Sequence, residues 1–273
     1  MAENPPVPTP STPHPAPQGM TIYTWPSGLL MLARTLVVDR PSSPLGATLR
    51  IACAAPYTIE TDEGTLHTRA SLLGPKSGRR RVVAVDSDIA VFYLPVEAPE
   101  HAGLTQALGD AALIDLDFAR FEPLLPELRE ALNGTLNGGR IQALVRRAVH
   151  AVTGREPPAR QLDPRIEKVI GLLQDLPLCD FSLERLGAQV HLSPSRLREL
   201  FRVQAGNSIS QYARWQAVWH AVSLWQGGRL LTDIAQEAGF HDMAHMNRAF
   251  VEMFGINPVA AIDPRYVRLI RCG

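Results

Sequence analysis

The segment GFHDMAHMNRAFVEMFGINP, residues 239–258, carries two histidines, an asparagine and an arginine on what reads as one helix. His241 and His245 stand four apart, a spacing that holds zinc when both rings share a helix face. Asn247 and Arg248 are the side-chain types that pair with adenine and guanine edges in the major groove of DNA. A metal, a catalytic step and a surface read by a partner are all open from this stretch alone. The metal reading is the weakest. Asp242 follows His241 where the zinc peptidase motif needs glutamate, and no third ligand is apparent. His241 also precedes Asp242, which is a helix N-cap candidate, so the two rings need not share a face.

The elements that must position these side chains form a repeat. The stretches LERLGAQVHLSPSRLRELF and LTDIAQEAGFHDMAHMNRAF each open with a hydrophobic-small pair, Leu186-Gly187 and Ile234-Ala235. A break follows, ending in Leu192 or Phe240, and then an N-cap, Ser193 or Asp242, whose side-chain oxygen can accept from the unpaired amides of the first turn. Pro194 sits at the first helical position, where its missing N–H costs nothing. Leu197 matches Met246 and Phe201 matches Phe250, at cap plus four and cap plus eight. Short helix, tight break and capped second helix describe a helix-turn-helix, present twice. Between the two units the spacing predicts one long helix over residues 210–226, roughly 25 Å at ~1.5 Å per residue. That length suits a strut holding two reading helices about one DNA turn (~34 Å) apart.

On these motifs residues 165–262 resemble the DNA-binding domain of the AraC/XylS family of bacterial transcription regulators. The most specific part is DIAQEAGFHDMAHMNRAFVEMFGINP, close to that family's second helix-turn-helix signature, and LGAQVHLSPSRLRELF is similar to the first. The resemblance implies that each second helix enters a major groove. The first would present Ser195, Arg196, Arg198, Glu199 and Arg202, with arginine bridging guanine, Glu199 accepting from cytosine and Arg202 on phosphate. The second would present Met243, Ala244, His245, Asn247 and Arg248, with Asn247 bidentate to adenine. Leu197, Leu200, Phe201, Met246, Phe250 and Phe254 read as core. Three departures stand out: Glu199 and Ala217 occupy positions usually basic in the family, and Val251-Glu252 replaces a frequently basic pair.

Composition is consistent with this reading without arguing for it. The 273 residues are 45% hydrophobic and 20% charged, with 27 Lys+Arg against 27 Asp+Glu. From Arg165 onward twelve basic residues face ten acidic ones, a thin surplus of +2 for a phosphate binder. Cys53, Cys179 and Cys272 lie far apart with no CxxC pair, so reduced cytoplasmic thiols are expected. No apolar run approaches the ~20 residues of a membrane helix.

Residues 1–19, dense in proline, read as a disordered tail. From Met20 to about Pro95 the texture is β: TLRIACAA, YTIETDEG, TLHTRASLL, RRVVAVD and DIAVFYLP are short runs rich in Val, Ile, Thr and Tyr. Helical periodicity follows, with apolar Ile141, Leu144, Val145, Ala148, Val149 and Val152 on one stripe. The expected fold class is α+β: a cupin-like small β-barrel with trailing helices (20–153), a linker (154–164), and an all-α domain with two helix-turn-helix units (165–273). The cupin-like part, by the weaker half of the resemblance, would sense a small molecule or pair two chains. His67 is the lone histidine on its strands, so metal-dependent enzymology lacks ligands there, and no Walker, G-x-S-x-G or G-x-G-x-x-G motif is present.

The expectation is therefore a non-enzymatic, cofactor-free regulator in the cytoplasm. Double-stranded DNA is its partner, and a small-molecule effector, a second copy and RNA polymerase are further candidates. The alternative, motivated by Glu199, Ala217 and the near-neutral charge, is a partner-dependent interaction module of the same fold with weakened DNA binding.

Overall fold

A computed structural model describes residues 19–25, 28–42, 44–75, 77–155, 162–225, 229–258 and 266–272. All but Gly19 of the stretch read as a disordered tail, and most of the stretch read as a linker, lie outside these residues.

The β texture folds into two facing sheets. The first has seven strands in the order β10-β7-β4-β9-β2-β1-β11 and the second four, β3-β8-β5-β6. In chain order these are β1 (Met20–Trp25), β2 (Gly28–Ala33), β3 (Leu36–Val38), β4 (Thr48–Ala52), β5 (Tyr57–Thr61) and β6 (Gly64–Thr68). They continue as β7 (Ala70–Leu73), β8 (Arg81–Ala84), β9 (Ile89–Tyr93), β10 (Leu113–Asp115) and β11 (Val267–Arg271). The cupin-like module is thus a sandwich of two separate sheets rather than a closed ring. Alternation sorts the first sheet's side chains. Leu49, Ile51, Leu72 and Phe92 face one way, onto α1 (Pro99–Leu108), α2 (Leu125–Leu132) and α3 (Gly138–Thr153). Ala52, Leu73 and Val91 face the other, onto Tyr57, Ile59 and Val82 of the second sheet. The stripe predicted from Ile141 to Val152 is the buried face of α3.

The helical half runs α4 (Pro164–Asp175), α5 (Leu183–Gln189), α6 (Pro194–Ala205), α7 (Ile209–Leu224), α8 (Leu231–Glu237) and α9 (Met243–Phe254). The long central helix carries a capping box, Ser208 with Gln211, and is apolar nearly all round because five elements pack on it. Its buried Ala217 leaves no room at that position for a cation reaching phosphate.

Two features were not in the periodicity. First, the helical half does not end helical. Residues 267–271 pair in parallel with β1, Met20 opposite Val267 through Thr24 opposite Arg271. A five-residue strand has no helical or long alternating signature, and its partner lies at the other end of the chain. Second, the helices dock on the sandwich. Ile22, Met31 and Tyr93 of the first sheet share one apolar core with Val222, Phe250 and the helix packing beneath them. The seam is pinned by Tyr212 Oη donating to Glu97 Oε1 at 2.9 Å, by Arg79 donating to the Phe254 carbonyl at 3.0 Å, and by the Tyr93 and Phe254 rings meeting edge-on at 5.2 Å. Burial holds the Tyr212 hydroxyl far above the usual phenol range, ahead of the nearby Glu97 charge, so it serves the seam as a neutral donor.

Candidate nucleic-acid interface

The two helix-turn-helix units share their backbone chemistry. In the first, Ser193 Oγ accepts from the Arg196 amide at 3.3 Å; in the second, Asp242 Oδ1 accepts from the His245 amide at 2.6 Å. That amide, followed by His241, holds the Asp242 carboxyl below its ordinary range. The preceding short helices also close alike. Leu192 N–H reaches back to the Gly187 carbonyl at 2.9 Å, and Phe240 N–H to the Ala235 carbonyl at 2.8 Å, the six-to-one bond of a Schellman ending.

Such an ending needs a left-handed residue, which is His191 (φ 55°) in the first unit and Gly239 (φ 81°) in the second. A histidine in that region carries strain of about 1–2 kcal/mol, partly offset by the greater chain entropy a glycine would lose. His191→Gly is therefore expected to stabilise the protein by up to about 1 kcal/mol. Urea unfolding checks this, and a loss of stability would mean that the imidazole makes a compensating contact.

The turns set the second helices on their apolar faces. Leu197 and Phe201 of α6 are fully buried, Phe201 edge-on to Tyr212 at 5.5 Å between centroids. Met246, Ala249, Phe250 and Met253 bury the matching face of α9. Each buried Leu, Phe or Met side chain contributes about 1.5–3 kcal/mol, enough to hold the opposite face outward.

On α6 the outward face is Ser195, Arg196, Arg198, Glu199 and Arg202, all exposed. They are not equivalent. Arg196 forms an ion pair with Glu199 at 2.7 Å, whereas Arg198 and Arg202 have no ion pair among the described residues. On α9, Met243, Ala244 and Arg248 are exposed. His245 is half-buried with its ring edge-on to Phe240 at 5.3 Å. Asn247 is half-buried, and its Oδ1 is enclosed without a hydrogen bond. His241 lies outside the helix, largely exposed and bonded to Asp242 at 3.2 Å. Glu252 is held by Arg214 of α7 at 2.7 Å, which neutralises the acid that replaces a basic residue.

Sequence reasoning passed over Arg50, and it took Arg79, with Lys76, Arg80 and Arg81, as a basic cluster that could bind an acidic effector or, more often, form a solvated loop. Arg50, in the middle of β4, is 1% exposed, and Arg79 is 3% exposed. The available signal was a lone cation in the apolar run TLRIACAA.

One of the comparisons with known proteins falls on the same region. A family described as helix-turn-helix domain matches residues 186–261. The transcriptional activator RhaR of Escherichia coli O1:K1 / APEC is 30% identical over 157 residues, covering 57% of this chain and 53% of that protein. RhaR of Salmonella arizonae is 30% identical over 138 residues, covering 50% and 46%. The chain thus spans about half the length of the curated relatives it matches. Among solved structures, ToxT from Vibrio cholerae has the same fold at a TM-score of 0.53 and 11% identity, over 85% of this chain and 96% of that one. Wild-type ToxT with unsaturated fatty acid bound superposes at a TM-score of 0.53 and 10% identity, over 86% and 94%.

Proposed function

We propose, from a C-terminal region that is a helix-turn-helix domain of the AraC/XylS type, that this chain is a transcription regulator reading double-stranded DNA in two adjacent major grooves. The observation that carries the reading is the repeated architecture itself: two helices with the same cap, the same turn and the same buried face, each presenting its polar side outward. The 16 residues of α7 between them, about 24 Å at ~1.5 Å per residue, support a reading in which the two helices meet successive groove openings. Arg198, Arg202 and Arg248 supply the free charge. Ser195, Arg196, Glu199, Met243, Ala244, His245 and Asn247 complete the surface. The Asn247 amide must turn outward to meet adenine, because its oxygen is enclosed in the free protein.

In this reading the sandwich is the sensor. An apolar cavity of about 50 Å³ opens at its seam with the helices, lined by Ile22, Met31, Tyr93, Trp225 and Phe254 among others. A small effector held there touches both halves at once, and the fatty acid of the ToxT structure gives a precedent for an effector-sized ligand in this fold. The regulator works in the cytoplasm without catalysing a reaction. No helix among the described residues is long and apolar enough to cross a membrane. A second copy and RNA polymerase are the protein partners the reading admits.

The test is selection from a randomised DNA library with the purified protein. The expected product is a site with two motifs about ten base pairs apart. Its affinity should fall steeply with salt, by roughly 0.9 log units per log unit of salt for each phosphate neutralised. No enrichment at low salt would overturn autonomous DNA reading. It would favour the partner-dependent module, which the Arg196–Glu199 pairing supports by removing one cation from the reading face.

A further inference from the structure

We propose that β6 is a pairing edge for a second copy of this chain. The two strands run antiparallel about a two-fold axis at Leu66 and join the two four-stranded sheets into one. The proposal gives the second copy admitted above its surface, and it rests on the regulator reading only for what pairing does to DNA binding.

A sheet edge presents a row of unpaired N–H and C=O groups, and proteins blunt such rows with charge, proline, short length or a covering element. Three of the four edges among the described strands are blunted. β10 has three residues and carries Asp115. β11 carries Arg268 and Arg271, which reach out to the carbonyls of Asn133, Ser223 and Trp225. β3 has the chain beyond α9 against it, with Gly255 beside Val38 and the Arg40 carbonyl. β6 has none of these devices. Its five residues include no acid, lysine, arginine or proline, and Gly64, Thr65 and His67 are exposed.

The strand on its covered side fixes which groups are free. β5 and β6 are antiparallel, with Thr61 opposite Gly64 across a two-residue turn and Thr58 opposite His67. The pair that closes such a turn exchanges hydrogen bonds, and bonding then alternates along the ladder. Gly64, Leu66 and Thr68 therefore turn their main-chain groups toward β5, while Thr65 and His67 turn theirs outward. Side chains alternate between the faces. Leu66 lies on the inner face, packed against the core between the sheets, and Thr65 and His67 lie on the outer one.

These features suit a second β6 in one register. With Leu66 opposite the other copy's Leu66, Thr65 stands opposite His67 on both sides of the axis. Each such pair exchanges two N–H···O bonds, four in all. The two half-buried leucines meet on the inner face and cover one another. Registers centred on Thr65 or His67 instead put Leu66 opposite Gly64 or Thr68 and leave it uncovered. Charge agrees with the first register. Glu60 and Asp62 are paired with Arg81 and Arg80, whereas Glu63 has no ion pair among the described residues. The pairing carries Glu63 toward Arg69, just past the end of the other copy's strand. Five residues a side bury less than the ~1,200 Å² of a stable interface, so the contact is weak and depends on concentration. On DNA with two sites in reach, the first bound copy raises the effective concentration of the second, and the same contact gives cooperative binding.

Sedimentation of the full chain without DNA tests the pairing. A monomer–dimer equilibrium with a Kd of roughly 10–100 µM is expected. Thr65→Pro removes an outward N–H, which an edge strand can lose without disturbing its neighbour, and is expected to raise that Kd at least about tenfold with circular dichroism unchanged. Thr65→Lys, which keeps the backbone donor, places a cation on the edge from each copy and is expected to act in the same direction. Cross-linking reads the register, on a Cys179→Ser background that removes the exposed thiol. Leu66→Cys is expected to form a disulfide dimer under oxidant, because a non-bonded antiparallel pair stands ~4.5 Å apart at Cα. Thr65→Cys is expected to cross-link far less, its two copies lying diagonally across the axis at ~7–8 Å. A monomer at every concentration, a dimer unaffected by both Thr65→Pro and Thr65→Lys, or a cross-link favouring Thr65→Cys would overturn the proposal. DNA selection with Thr65→Pro runs in parallel. Loss of DNA recognition in wild type and variant alike would count against the regulator reading and leave the pairing standing.

Discussion

Gly239→Ala is expected to destabilise the protein by about 2–5 kcal/mol, the largest effect of any single substitution considered for the helical half. Two penalties add. The φ of 81° lies in the left-handed region, where an alanine costs roughly 1–2 kcal/mol. A Cβ there would also run into the backbone at Leu178 N and approach Pro177 C to 2.8 Å and Cys179 N to 3.0 Å. These are backbone atoms of the short 3-10 turn Leu178–Asp180 and of its cap Pro177, which cannot rotate away as a side chain can, so forced packing adds roughly 1–3 kcal/mol. The first unit separates the two terms, because His191 tolerates the same conformation at the matching place while staying exposed. Urea unfolding of the variant gives the total. A change under about 0.5 kcal/mol would mean that the turn relaxes freely and that the break before α9 is not held as described. Because this break aims α9, DNA selection with Gly239→Ala is also expected to lose the motif read by that helix and keep the other.

Arg198→Ala is expected to weaken binding to the selected site by about 5- to 150-fold, equivalent to roughly 1–3 kcal/mol, and to relax one of its two motifs. The expectation is larger for Arg198 than for Arg196, although both are exposed on α6. Arg196 already has Glu199 at 2.7 Å, and an exposed pair of this kind is worth only about 0.2–1 kcal/mol, so its removal changes less and frees an acid besides. Arg248→Ala is expected to relax the other motif. Filter binding against the selected site and its single-base variants checks both. If Arg198→Ala instead weakens all sequences equally and lowers the salt slope by about one, the side chain contacts phosphate and the base-reading role is lost.

Much of this surface was legible in the sequence because its determinants are local. A cap is a residue and the amides three positions on; a Schellman turn spans six residues; an apolar stripe repeats within a single helix. Ser193, Asp242, Leu197, Phe201, Met246 and Phe250 could therefore be placed by spacing alone, and they hold those places. The predicted strut over 210–226 is the helix Ile209–Leu224, bounded by a capping box that local residues also encode. In the β-half the runs of Val, Ile and Thr marked strands, and the strip from Ile141 to Val152 marked an amphipathic helix.

Spacing could not rank the polar residues against one another. Arg196 differs from Arg198 through an i,i+3 partner whose bonding depends on rotamers, and Asn247 is recessed by packing that its own helix does not report. Nor could it choose between a free α3 face, ready to pair two chains, and the buried face that lies under the first sheet.

The sequence by itself determined two capped helices on apolar faces and a β-module ahead of them, because those features depend on neighbours within a few residues. Only the tertiary structure decided that Val267–Arg271 returns to β1, that the helices share a core with the sandwich, and that Arg50 and Arg79 are buried inside it. Each of these joins positions far apart in the chain, and such contacts leave no periodic trace, since they are set by which apolar faces must leave water together.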